Sequence, residues 1–125
     1  MFFGTHLLLY SRDAEADRAF LRDVLEIPAV DAGDGWLIFA MPPVEMGVHP
    51  GESQIEHAGT NLAAGTVYLM CRDLQATMER LKTKGVICGA VQEAGWGVVT
   101  FIPLPGGSSL GLYQPRHPLA IDAPR

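Results

Sequence analysis

Apolar residues recur along the chain at two periods, and the switches between them divide it into elements. "THLLLY" (5–10) is a short β-rich run. "SRD" follows, with Ser11 and Asp13 as candidate helix caps. Over 14–25, Ala16, Phe20 and Val24 recur at four-residue steps with Leu21 and Leu25 beside them, which predicts an amphipathic helix. Pro28 stops its continuation. A weak strand at 28–31 leads into the turn Gly33-Asp34-Gly35. "WLIFA" (36–40) predicts a strand, Pro42-Pro43 breaks it, and "VEMGVH" (44–49) predicts another.

Residues 50–64 are polar and Gly-rich and read as a linker. The order then repeats. "TVYLMC" (66–71) predicts a strand. Asp73 caps a predicted helix over 74–84, with Leu74, Met78 and Leu81 on its apolar face and Gly85 suited to C′. Strands are predicted over 86–91, 96–102 and 109–114. Arg12-Asp13 and Arg72-Asp73 are sixty residues apart, and so are Gly35-Trp36 and Gly95-Trp96. Matched elements at one offset point to a duplicated unit. The expected organisation is α+β in a single domain. Module 1 spans about 4–50, the linker 51–64, module 2 about 65–115 and the tail 116–125, and each module reads βαβββ.

Composition narrows the function. A chain of 125 residues, 48% hydrophobic and 18% charged, can bury a real core. Its net charge of −5, with no Lys/Arg cluster, argues against a nucleic-acid partner. No apolar run approaches the ~18 residues of a membrane span, and the N-terminus lacks a basic leader region. The expected location is cytoplasmic. Cys71 and Cys88 make neither a disulfide framework nor a Cys-x-x-Cys metal motif.

With this order of elements the chain resembles the vicinal oxygen chelate superfamily, which includes glyoxalase I, bleomycin-resistance proteins and extradiol dioxygenases. The resemblance rests on "HLLLYSRDAEADRAFLRDVLEI", on "VYLMCRDLQATMERLKTKGV" and on the closing "LPGGSSLGLYQPRHP". It implies two modules whose curled mixed sheets face each other across a ligand cleft, within one chain or across a homodimer. It also implies four ligand places, held in this chain by His6, Glu45, Val67 and Gly111. The first two are good ligand types for a divalent metal. The last two cannot coordinate through a side chain, and a catalytic metal usually has three protein ligands. No cofactor is therefore expected. The alternative is a metal-dependent lyase, isomerase or dioxygenase. It would use His6 and Glu45, with His49 joining them because Glu45, Gly47 and His49 share a face at period two.

Alternation and the resemblance together place His6, Leu8, Tyr10, Trp36, Glu45, His49, Val67, Leu69, Trp96 and Tyr113 at the cleft. That lining is apolar and aromatic with a few polar groups, as small-molecule pockets are. Trp36 and Trp96 offer faces for a planar ligand, and Glu45 an anchor for a cationic one. The leading expectation is a binder of a small aromatic or cationic molecule, of the bleomycin-resistance type, acting as a homodimer. A structural module with a self-filled cleft is a third reading. His57 falls in the linker and His117 in the tail, where it can close over a cleft or meet a partner.

Overall fold

A computed structural model describes residues 1–51 and 54–124 of the chain. The element order is α1 (Ala14–Asp23), β1 (Ala29–Asp31), β2 (Leu37–Phe39), β3 (Gln54–His57), β4 (Thr60–Ala63), β5 (Tyr68–Met70), α2 (Leu74–Thr83), β6 (Gln92–Ala94), β7 (Gly97–Pro103) and β8 (Ser109–Pro115), followed by a 3-10 turn at Ala120–Asp122. The fold is α+β with curled, mixed sheets.

The two helices show the internal repeat best. Each has ten residues, and each is capped by the aspartate of its Arg-Asp pair. Asp13 accepts from Ala16 N at 3.1 Å and Asp73 from Ala76 N at 3.0 Å. Such a cap satisfies an amide that the first helical turn leaves free, and is worth about 1 kcal/mol. After α1 the chain leaves the helix through Glu26, at φ 57°. After α2, Gly85 does the same at φ 82°. Lys84 Nζ joins the two helix ends, donating to Val24 O at 3.1 Å and to the Glu26 carboxylate at 2.8 Å.

The second half forms one four-stranded sheet in the order β5-β8-β7-β6, with β5 parallel to β8 and the other pairs antiparallel. Alternation gives this sheet two faces. Val98, Ile102, Leu110 and Leu112 join Leu74, Leu81, Val86 and Leu104 in the core, against which Phe20, Leu21 and Val24 of the first helix region also pack. Thr100 points the same way and is fully buried, its hydroxyl donating to Gly89 O at 2.7 Å. Asp17 is buried at the other end of the core and accepts from Gly106 N at 2.7 Å. That bond ties α1 to the β7–β8 turn.

The first half departs from its expected pattern. Its sheet is the pair β1-β2 alone, and among the described residues 5–10 and 44–49 join no ladder. Both runs are extended in pattern, but a strand exists only where a neighbour supplies its hydrogen bonds. Residues 86–91 likewise fall outside the ladders, with β6 lying just beyond them. The polar stretch expected as a linker carries the hairpin β3-β4, which pairs His57 with Thr60. Ala58 (φ 51°) and Gly59 (φ 77°) make its two-residue turn, as type I′ geometry requires.

Candidate functional site

β5 is the edge strand of the large sheet, and a cavity of about 290 Å³ runs along it. Val67, Leu69 and Met70 form one wall, and Met41, Pro42, Pro43 and Val44 form another. Leu7, Leu119 and Ile121 add apolar surface from the two ends of the chain. Glu45, Arg72 and Tyr113 supply the polar groups. A second cavity of about 310 Å³ also touches β5, with Leu8, Tyr10, Val67, Phe101 and Gly111 in its lining.

The polar end of the first cavity is a connected cluster. Glu45 is mostly buried, its side chain 14% exposed. One carboxylate oxygen accepts from Ala120 N at 2.9 Å. The other lies 3.8 Å from His117 Nε2. The Tyr113 hydroxyl meets the same nitrogen at 3.1 Å. Burial pushes the Tyr113 phenol above its ordinary pKa, and the Glu45 charge adds to the shift. Tyr113 therefore stays a neutral hydroxyl near neutrality.

The aromatic floor comes from register. Parallel pairing sets Tyr68 opposite Gly111 and Met70 opposite Tyr113. A Cβ on Gly111 would meet the Tyr68 ring, whose Cγ would be 2.7 Å away. Tyr68 packs edge-on to Tyr113 at 5.7 Å and against Phe101 at 6.4 Å.

The expected cleft residues distribute unevenly. Glu45, Val67, Leu69 and Tyr113 line the first cavity, and Leu8, Tyr10 and Val67 the second. On β5 and its flanks, Val67, Leu69 and Cys71 pack against the core and also line the first cavity, whereas Tyr68 shares the face of Gly111. Both alternating sets of this strand are apolar, so the pattern gives the period but not which set faces inward. Val67 and Leu69 still reach the cavity because it lies along an open edge.

Trp36 and Trp96 line neither cavity. Trp36 is exposed, with the Arg18 guanidinium 5.1 Å above its ring. Trp96 packs edge-on to Tyr113 at 5.4 Å and accepts from Arg116 N through its carbonyl. The pair does not sandwich a common space. His6 and His49 are exposed and outside both cavities. His57 lies in β3, where its Nδ1 meets the Tyr10 hydroxyl at 3.2 Å.

Among the described residues, no group of three or more His, Cys, Asp or Glu side chains is arranged to hold an ion. His6, Glu45 and His49 are not brought together as such a group, and Glu45 instead meets the tail. The pattern of residues 44–49 places Glu45 and His49 on one face, but that segment does not form the strand the alternation assumed. Tyr68 was missed, whereas His117, read as able to close over a cleft, lies beside Glu45 and Tyr113. The alternation about Pro115 carried no sign that the tail folds back.

No protein-family model matches the chain, and no curated protein matches it by sequence. Solved structures do match. The chain is similar to the antibiotic binding protein TnmS3 from Streptomyces sp. CB03234, at 22% identity and TM-score 0.51, covering 92% of this chain and 99% of that one. It is similar to a lactoylglutathione lyase from Agrobacterium tumefaciens, at 17% identity and TM-score 0.52, covering 85% and 88%. An integron cassette protein from the mobile metagenome of V. Cholerae matches at 17% identity and TM-score 0.55, covering 91% and 97%. These likenesses show that the chain shares the fold of these proteins.

Proposed function

We propose that the protein binds a small molecule reversibly, without a metal, in the cavity along β5. The observation that carries this reading is a mostly buried carboxylate, Glu45, set in a largely apolar cavity of about 290 Å³ whose lining also includes Arg72 and Tyr113. Apolar walls bury the body of a ligand, and one convergent polar group orients it. A negative group in that position favours a flat apolar compound carrying an ammonium group. The likeness to an antibiotic binding protein supports binding as the role.

The working unit of this proposal is a homodimer. The chain exposes 9540 Å², about 3,000 Å² more than a compact monomer of 13.5 kDa. That excess is above the share each chain contributes to a typical obligate dimer interface. The exposed apolar residues include Phe2, Phe3, Leu8, Met46 and Val48. The free edge of β5 adds unpaired backbone groups that a second chain can satisfy.

The test uses 1-naphthylmethylammonium as probe and neutral 1-naphthylmethanol as its control, each with and without EDTA. The expected result is a rise in melting temperature with the ammonium probe that EDTA does not alter. A ligand at 100 times its Kd adds about 2.7 kcal/mol. Glu45→Gln is expected to weaken the ammonium probe about tenfold and leave the alcohol unchanged. No rise with either compound sinks the reading. A rise that EDTA abolishes favours a metal-dependent site instead.

A further inference from the structure

The chain does not end at the sheet. Beyond β8, Arg116 N donates to Trp96 O at 2.8 Å, and its guanidinium reaches Glu93 at 3.4 Å. The next residues turn back against the cavity along β5. Leu119 and Ile121 become part of its lining. Between them, Ala120 N donates to Glu45, seventy-five residues earlier in the chain, at 2.9 Å. That single bond fastens the tail to the opposite wall.

His117 sits at the root of this segment, and its protonation changes what it offers. Its Nδ1 lies 2.9 Å from Pro118 O. A carbonyl only accepts, so Nδ1 carries the proton in the neutral ring. Nε2 then presents a lone pair, which accepts from the Tyr113 hydroxyl at 3.1 Å and also faces a Glu45 oxygen at 3.8 Å. Two acceptors face each other there. When the ring is protonated, Nε2 becomes a donor, and the same contact turns into a charge-assisted pair.

The other charged groups near the cluster do not replace Glu45. Arg116, next to His117, is paired with Glu93. Arg72, from the turn before α2, lines the same cavity. Asp122 lies one turn further along the tail. Tyr113, on β8, is the neutral hydroxyl between the ring and the sheet.

We propose that residues 116–122 are a strap that closes the cavity, with Glu45 as its catch and His117 as an element that tightens it when protonated. The strap gates the same cavity that the small-molecule reading assigns to a ligand, and in that sense rests on that reading. Its mechanical part needs no ligand.

The test is amide hydrogen exchange by NMR on the full chain without ligand, at pH 5.5 and pH 8, expressed as protection factors. The buried Thr100 amide serves as the control for global opening. In the wild type the Ala120 amide is expected to be protected, and several-fold more so at pH 5.5 after normalising to Thr100. Glu45→Ala is expected to remove that protection at both pH values with Thr100 unchanged. If Glu45→Ala fails to fold, Glu45→Gln serves: it keeps an acceptor for Ala120 but no charge, so protection stays and its pH dependence goes. His117→Gln is expected to do the same. An unprotected Ala120 amide in the wild type, or greater protection at pH 8, overturns the strap. So does equal protection in Glu45→Ala. Adding 1-naphthylmethylammonium separates the two readings. A probe that binds without changing Ala120 exchange leaves binding intact and removes the gate. A probe that fails to bind while the pH dependence holds removes the ligand and leaves the strap.

Discussion

The ring of Tyr68 occupies the space above Gly111, its registered partner in the parallel β5-β8 ladder. The eighth strand can approach the fifth with a tyrosine between them because one partner has no side chain. This small relationship decides the floor of the candidate site. Gly111, at a place the resemblance gave to a metal ligand, faces an aromatic ring instead.

Gly111→Ala is expected to be costly. Its new Cβ would collide with the root of the Tyr68 ring, a part of the side chain that cannot swing away freely. Overpacking of this kind costs about 1–3 kcal/mol, which lowers the melting temperature by several degrees. Tyr68→Ala placed on top is expected to recover part of the loss. An unchanged melting temperature in Gly111→Ala contradicts the contact.

Asp17→Ala removes the acceptor for Gly106 N. Asp17 is buried, so the amide loses its partner where water has little access. The expected loss is about 1–3 kcal/mol, read by urea denaturation. A midpoint that does not move shows that the α1 connection to the β7–β8 turn is dispensable.

Both cysteines are expected to react slowly. Burial pushes the Cys71 thiol up; a hydrogen bond with Thr77 opposes this and the Asp73 charge adds to it. Burial also raises Cys88. A raised thiol pKa means less thiolate at a given pH, and thiolate is the reactive form. Iodoacetamide should therefore modify the native protein at pH 8 several-fold more slowly than a free cysteine peptide. The rate should still be climbing above pH 9. Rapid labelling at pH 7 contradicts both assignments.

The dimer proposal makes its own prediction. Light scattering at micromolar protein should give twice 13.5 kDa. The melting temperature should rise with concentration, because association stabilises the folded chain by mass action. Leu8→Lys together with Val48→Lys should shift the mass toward the monomer. A monomeric mass across the whole concentration range rejects the dimer.

Helices and caps were the part of this fold most legible in the sequence. Asp13 and Asp73 were readable as caps, and Pro28 and Gly85 as stops, because capping and termination depend on residues within one turn. The sixty-residue echo was legible for the same reason: each copy carries its own local signals. Residues 5–10 and 44–49 show the limit. Their alternation marks them as able to form strands, but pairing needs a neighbour, and the pattern cannot supply one.

The candidate site was legible only in part. Glu45, Val67, Leu69 and Tyr113 were placed at a cleft and line the cavity. Trp36, Trp96, His6 and His49 were placed there too and lie outside it. Their positions depend on how strands curl and on which neighbours cover them, not on period.

By itself, then, the sequence determined elements that close through nearby bonds, above all the two capped helices, and the period of the strands it marked. Only the tertiary structure decided phase and company. Tyr68 faces Gly111 because the ladder pairs them, and Glu45 meets Ala120 and His117 because the tail folds back across seventy-five residues. Hydrogen bonds within a turn are written in adjacent residues. Those between distant residues depend on a core that must assemble before they can form.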